Sequence, residues 1–169
     1  MNGVQLVPPS RRYRQSFQDY AADYQGVLGE RDYEKKYAPT LADFDQYLET
    51  TTTPRACEGR VPQSTFWLVD GENVVGVVRV RHQNVPGCGH IGYDIAPCYR
   101  RKGYGMLILS LALREAAKLG IDPARVICRV DNTASRRIIE KNGGRLIGSF
   151  FDSEEGAEVL AFHVATVRN

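Results

Sequence analysis

The sequence is short of the residues that build metal and disulfide frameworks. It holds four cysteines, Cys57, Cys88, Cys98 and Cys128, and three histidines, His82, His90 and His163. No two cysteines stand in C-x-x-C spacing, so no metal site is expected. No apolar run approaches the ~20 residues that a membrane-spanning helix needs. The start, Met1-Asn2-Gly3-Val4-Gln5, carries neither a basic region nor an apolar core of the secretory kind. The expectation is a cytoplasmic protein with free thiols and no membrane partner. Net charge is only +2, which gives no reason to invoke nucleic acid or polybasic partners such as histone tails. What is present is an ordinary globular mixture. The 169 residues are 43% hydrophobic and 25% charged, which suits one domain over 1–169 with a real core. Composition leaves a homodimer open.

The elements can be read from periodicity and punctuation. Val4 to Val7 is a short strand stopped by Pro8-Pro9. Ser10 can cap a helix on which Tyr13, Phe17, Tyr20 and Tyr24 recur at helical spacing, ended by Gly26 and Gly29. Thr40 starts a second helix with Leu41, Phe44 and Leu48 on one face, which Thr50 to Pro54 ends. Thr65 to Val69 and Val74 to Arg81 form a hairpin around Asp70-Gly71. Asn84 to Gly89 is a turn, and Ile91 to Ile95 a third strand of that group. Tyr104 to Leu119 is a helix ended by Gly120. Val126 to Val130 is a strand, and Asp131 or Asn132 caps a helix reaching Asn142. Arg145 to Asp152 and Glu158 to Val167 close the chain as a hairpin through Ser153 to Gly156. The order β-α-α-β-β-β-α-β-α-β-β predicts an α/β fold, a mixed central sheet flanked by helices on both faces.

The most informative stretch lies where a strand ends in a basic turn and a helix opens at glycines: Ile95-Ala96-Pro97-Cys98-Tyr99-Arg100-Arg101-Lys102-Gly103-Tyr104-Gly105. The first N–H groups of a helix lack internal partners, and its dipole favours an anion there. Gly103 and Gly105 let a phosphate approach the backbone. Arg100, Arg101 and Lys102 add positive charge. The pattern describes a pyrophosphate cradle. A Walker loop, G-x-x-x-x-G-K-[ST], is absent. Gly87-Cys88-Gly89-His90-Ile91-Gly92 matches G-x-G-x-x-G by letter, but it opens into a strand and not the helix that a dinucleotide site requires.

Here the chain resembles the GCN5-related N-acetyltransferase (GNAT) superfamily, and within it a bacterial subgroup known only as predicted acetyltransferases. Arg100 to Gly105 carries the first motif. Asn132-Thr133-Ala134-Ser135-Arg136-Arg137-Ile138-Ile139-Glu140-Lys141-Asn142-Gly143 carries the second, similar to N-x-x-[AS]-x-x-[LI]-Y-E-K-x-G. The resemblance implies splayed central strands that hold acyl-CoA, with acetyl-CoA as cosubstrate. The pantetheine arm would run along backbone groups around Tyr93, Asp94, Ile95 and Ala96. The pyrophosphate would sit on the N–H groups from Arg101 through Lys102, Gly103 and Tyr104 to Gly105. Asn132 and Ser135 would contact the coenzyme arm. The family's Tyr before Glu-Lys, which protonates the leaving thiolate, is replaced by Ile139. Either the thiolate leaves unaided, as a thiol pKa of ~8.5 allows, or Tyr93 or Ser135 assists, or the enzyme is weak.

The implied reaction is acetyl transfer to a primary amine of a small molecule or a single residue. His90 is the preferred base, since it precedes the cofactor strand and a reference pKa of ~6.5 suits work near neutrality. Asp94 is its rival, His82 a third candidate, and His163 is read as structural. The tyrosines of the first helix and Trp67 are read first as core, and Arg136-Arg137 as a solvated face. The alternative function is a non-catalytic acyl-CoA-binding or sensing module. A weaker one is an ATP site at the same turn.

Overall fold

The computed structural model describes residues 3–27, 37–52 and 61–166; Gly29, Pro54, Cys57 and Val167 lie outside the described residues. The strands are β1 (Gln5–Val7), β2 (Gln63–Asp70), β3 (Asn73–Val85), β4 (Gly89–Ile95), β5 (Ala124–Arg129), β6 (Arg145–Asp152) and β7 (Ala157–Val164). The helices are α1 (Arg14–Ala22), α2 (Ala38–Ala42), α3 (Phe44–Thr52), α4 (Tyr104–Lys118) and α5 (Thr133–Lys141). The strands make one seven-stranded sheet in the order β1-β2-β3-β4-β5-β7-β6. All neighbours pair antiparallel except β4 with β5, which pair parallel. The mixed sheet with helices on both faces stands as expected.

Alternation along the strands sends the two faces to two different cores. One face is aliphatic: Val78, Val80, Ile91 and Val126 pack against Ile108, Leu109 and Leu113 of α4 and Ile139 of α5. The other is aromatic: Phe17 and Tyr20 of α1, Tyr24, Tyr37 and Phe44 gather over Trp67, Val69 and Val77. Phe17 stacks on Trp67 with ring centroids 4.3 Å apart. The bland reading of these aromatics as core therefore holds, and their packing fixes α1 above β3.

Three local expectations change. Ser10 makes no side-chain cap; its carbonyl accepts from Tyr13 N–H at 3.3 Å, so the first turn is a 3-10 turn and α1 starts at Arg14. The second helix is broken at Asp43, whose φ of −143° is extended. Its Oδ1 accepts from Gln46 N–H at 2.9 Å and so caps α3, a local bond that overrides the apolar period. β3 runs on to Val85, past the expected end at Arg81, with irregular pairing between Val80 and Val85. The cap on α5 is Asn132, whose Oδ1 accepts from Ser135 N–H at 3.0 Å.

Candidate active site

After β4 the chain makes a 3-10 turn at Pro97–Tyr99 and then two left-handed residues, Arg101 at φ 64° and Gly103 at φ 88°. Gly103 stands immediately before α4. Left-handed geometry is easy for glycine and costs a residue like Arg101 roughly 1–3 kcal/mol. Among the described residues, no backbone carbonyl accepts from the N–H groups of Arg101 through Gly105. Met106 and Leu107 N–H are the first to find one, at Gly103 O. A run of unpaired N–H groups at a helix start is a cradle for phosphate oxygens, and these residues fit the diphosphate of coenzyme A.

The side chains around the cradle divide their tasks. Arg101 and Lys102 are exposed beside it. Arg100 turns back instead: its Nε donates to Ile95 O at 3.0 Å and its guanidinium lies 5.8 Å from the Tyr24 ring centre, so it ties the end of β4 to the turn. The Tyr104 hydroxyl donates to Asp70 in the β2–β3 turn and anchors the start of α4. Gly105 serves helix packing, since a Cβ there would stand 2.6 Å from Ile138 Cδ1 of α5. Ile95 and Ala96 bury their side chains and offer the site backbone only.

β4 and β5 part company. Their register ends at Ile91↔Val126, although β4 continues to Ile95 and β5 to Arg129. Tyr93 reaches toward α5 across this divergence, its hydroxyl 3.1 Å from Ser135 Oγ. Burial pushes the Tyr93 phenol up to about 12, against the hydrogen bond with Ser135 that pulls the other way. Ile139 is fully buried in the aliphatic core, so position 139 contributes nothing to the cleft. A cavity of about 340 Å³ opens along the divergence, with Arg79, Arg81, Tyr93, Asp94, Cys128 and Ser135 among its walls.

Asp94 is the centre of a buried polar cluster on the α1 side. The hydroxyls of Tyr20 and Tyr37 both donate to its Oδ1, and Tyr24 OH donates to the same oxygen at 3.2 Å. Arg79 Nη1 meets Oδ2 at 3.3 Å. Burial, then the charge of Asp94, raises the pKa of Tyr20 and Tyr37 well above the usual phenol value, so both stay protonated donors. Burial works to lower the Arg79 pKa, but Asp94 together with Tyr37, Tyr47 and Tyr20 outweighs it and the net shift is upward. Sequence reasoning missed this cluster. The signals were there: Tyr20 and Tyr24 one helical turn apart, and Arg79 and Arg81 at alternate positions in a valine strand, hence on one face.

The histidines lie elsewhere. His90 turns to β5, where its Nδ1 accepts from Arg125 N–H at 2.8 Å. An imidazole whose Nδ1 accepts carries its proton on Nε2, so it is a donor there. His82 bonds Ser64 Oγ through Nε2 at 2.9 Å, toward β2. His163 is exposed on β7 opposite Arg125. Burial, then the charges of Arg125, His163 and Arg81, lower the His90 pKa below 6.5. Between that lowered value and ~6.5 the unfolded chain binds the proton that the native chain refuses, so stability present above ~6.5 is lost as pH falls through the window. His90→Gln is accordingly expected to flatten the loss of melting temperature between pH 7.5 and pH 5; an unchanged pH profile would show that His90 titrates normally.

Comparison with known proteins places these features. A family model described as acetyltransferase (GNAT) domain matches residues 6–145. No curated protein sequence matches the chain. Among solved structures, the Salmonella typhimurium acetyltransferase that modifies the N-terminal serine of ribosomal protein L7/L12 is 16% identical, with 98% of this chain and 96% of that chain covered at a TM-score of 0.74. The microcin C7 self-immunity acetyltransferase MccE, in complex with acetyl-CoA and AMP, is 14% identical over 98% and 93% of the two chains at a TM-score of 0.71. A spermidine N-acetyltransferase SpeG chimera of Vibrio cholerae and hSSAT is 15% identical over 96% and 95% at a TM-score of 0.67. Identities this low show a shared fold. The family match spans most of the sequence, from β1 to the start of β6, and takes in both the cradle and the α5 motif: this chain belongs to the GNAT acetyltransferase family.

Proposed function

We propose that this chain transfers an acetyl group from acetyl-CoA to the primary amine of a small molecule or a single residue. The observation that carries this is the divergence of β4 from β5, with the cavity walled by Asp94 and Tyr93 along it and the N–H cradle at Arg101–Gly105 in the turn that follows β4. Acetyl-CoA supplies an activated acyl carbon. The amine nitrogen bonds to that carbon, the C–S bond breaks, and the amine loses one proton while the thiolate gains one.

Two groups of this chain are suited to those protons. Asp94 lines the cavity, whereas His90 is engaged with β5, so Asp94 receives the amine proton, directly or through water. A carboxylate, with a reference pKa of ~3.9, is a weak base, and a weak base suffices for the acidic ammonium that exists once the nitrogen has attacked. Tyr93, steadied by Ser135 across the β4–β5 divergence, would stand beside the leaving sulfur. A phenol near 12 does not hand a full proton to a thiolate whose conjugate acid is near ~8.5. It stabilises the thiolate by a charge-assisted hydrogen bond, and the free thiol forms with solvent.

Incubation with acetyl-CoA and an amine panel, followed by thiol release and product mass, tests the reading. Stoichiometric coenzyme A and an N-acetylated amine are expected. Tight acetyl-CoA binding without turnover of any amine would replace the transferase with the binding module.

A further inference from the structure

The acceptor side of the sheet is basic. Val77 pairs with Asp94 and Arg79 with Gly92, so β3 turns Arg79, and two residues on Arg81, to the same face as Asp94. On β5, Ala124, Val126 and Cys128 point into the aliphatic core, which leaves Arg125 and Arg129 on the Asp94 face. These guanidiniums are not equally satisfied. Arg79 has Asp94, and Arg129 Nη2 has Asp131 at 2.7 Å. Arg125 Nε is buried with no hydrogen-bond partner among the described residues.

Arg81 is the one that lies in the cavity wall without a counter-charge. Its hydrogen-bond partner is neutral, the Cys88 carbonyl at 3.3 Å, and among the described residues no carboxylate reaches salt-bridge distance of it. Its guanidinium is laid across β4 at Gly92. A Cβ on Gly92 would stand 3.4 Å from both Nη1 and Nη2, so the bare backbone there admits the fork to the cleft. Burial, together with repulsion from Arg79, lowers its pKa, the mark of a cation held where solvent and anions do not stabilise it. Of the two acids in the cavity wall, Asp94 is engaged by Arg79 and the tyrosines, and Glu155 is exposed on the β6–β7 turn.

We propose that Arg81 is a carboxylate-binding residue of the acceptor site, so that the amine acetylated here carries its own carboxylate, as a free amino acid does. The inference rests on the acetyltransferase reading and narrows its substrate class. A planar carboxylate accepts two parallel N–H bonds from the guanidinium fork, which fixes the amine beside Asp94 at the mouth of the β4–β5 divergence. The same arginines repel polyamines, whose several positive charges meet only the exposed Glu155 as an unengaged acid at this wall.

The test compares turnover of acetyl-CoA with the twenty common amino acids, the corresponding amino-acid amides, and spermidine and putrescine. The best amino acid is expected to exceed its own amide by about 100-fold in kcat/KM, the scale of a bidentate charge-assisted contact. Arg81→Gln should remove that preference by raising KM for the amino acid about 100-fold with kcat little changed, and Arg81→Lys should restore part of it. Acetyl-CoA should raise the melting temperature of both variants as it does the wild type, which separates loss of the subsite from loss of the fold. Amides or polyamines used as well as the acids would overturn the carboxylate subsite and leave the transferase reading standing. Arg81→Gln that keeps the full preference would overturn the assignment to Arg81. Acetyl-CoA bound and no amine consumed would overturn both readings.

Discussion

Gly103→Val is expected to abolish the rise in melting temperature that acetyl-CoA gives the wild type. A ligand at about 100 times its Kd adds roughly 2.7 kcal/mol to the folded state, which is a shift of about 5–10 °C in a chain of this size. Gly103 sits at φ 88° between Arg101 at φ 64° and the first turn of α4, in the middle of the N–H groups that no backbone carbonyl claims. A valine there does two things. It strains the backbone by about 1–2 kcal/mol, since a branched Cβ is disfavoured in the left-handed region. It also places methyl groups where phosphate oxygens approach the cradle. The two effects are separated by Gly103→Asn, because asparagine tolerates the left-handed region. The asparagine variant should keep most of the wild-type melting temperature without ligand and still lose most of the shift. If both variants fold and bind acetyl-CoA as tightly as wild type, the diphosphate is held elsewhere.

The cradle was legible because its chemistry is local: a strand end, a basic turn, a glycine and a helix start lie within about a dozen consecutive residues. The fold was legible for a related reason, since turn residues and alternation mark β2, β3 and β4 one after another. What the sequence hid was non-local. Arg100 reads as a phosphate ligand in the string of basic residues, but its Nε turns back to Ile95 O, at the end of β4 and beyond its last pairing with β5. Gly105 reads as a phosphate glycine, yet Ile138 from a distant helix fills its open side. His90 reads as a base by its position before β4, while its ring is turned to Arg125 on β5, a neighbour that only the parallel pairing brings near. Asp94 reads from its own segment only as a rival to His90. Its side chain does leave the aliphatic core, and on the other side it meets α1 and Tyr37, which come from the far end of the chain.

Asp94 is where the second large effect is expected, and stability and activity should respond differently to two substitutions. Asp94→Ala removes the acceptor for three phenols and the counter-charge of Arg79 at once. Breaking a buried pair from one side costs about 3–5 kcal/mol. Both Arg79 and Asp94 side chains keep 20% exposure, so the low end applies, roughly 3 kcal/mol or about 6–12 °C in melting temperature. Asp94→Asn keeps a carbonyl oxygen for the tyrosines and loses only the charge, so its melting temperature should lie between the alanine variant and wild type. Activity should not follow that order. Neither side chain can take a proton from the attacking amine, so kcat/KM should fall by about 10²–10⁴-fold in both. The acetyl-CoA shift should survive in both, because the cradle at Arg101–Gly105 contacts neither the tyrosines nor Asp94 through a hydrogen bond. Thermal melts with and without acetyl-CoA, beside initial rates at saturating cofactor, read all three quantities. A well-folded Asp94→Asn with near wild-type kcat/KM would remove Asp94 from the proton path and return His90 as the next residue to substitute.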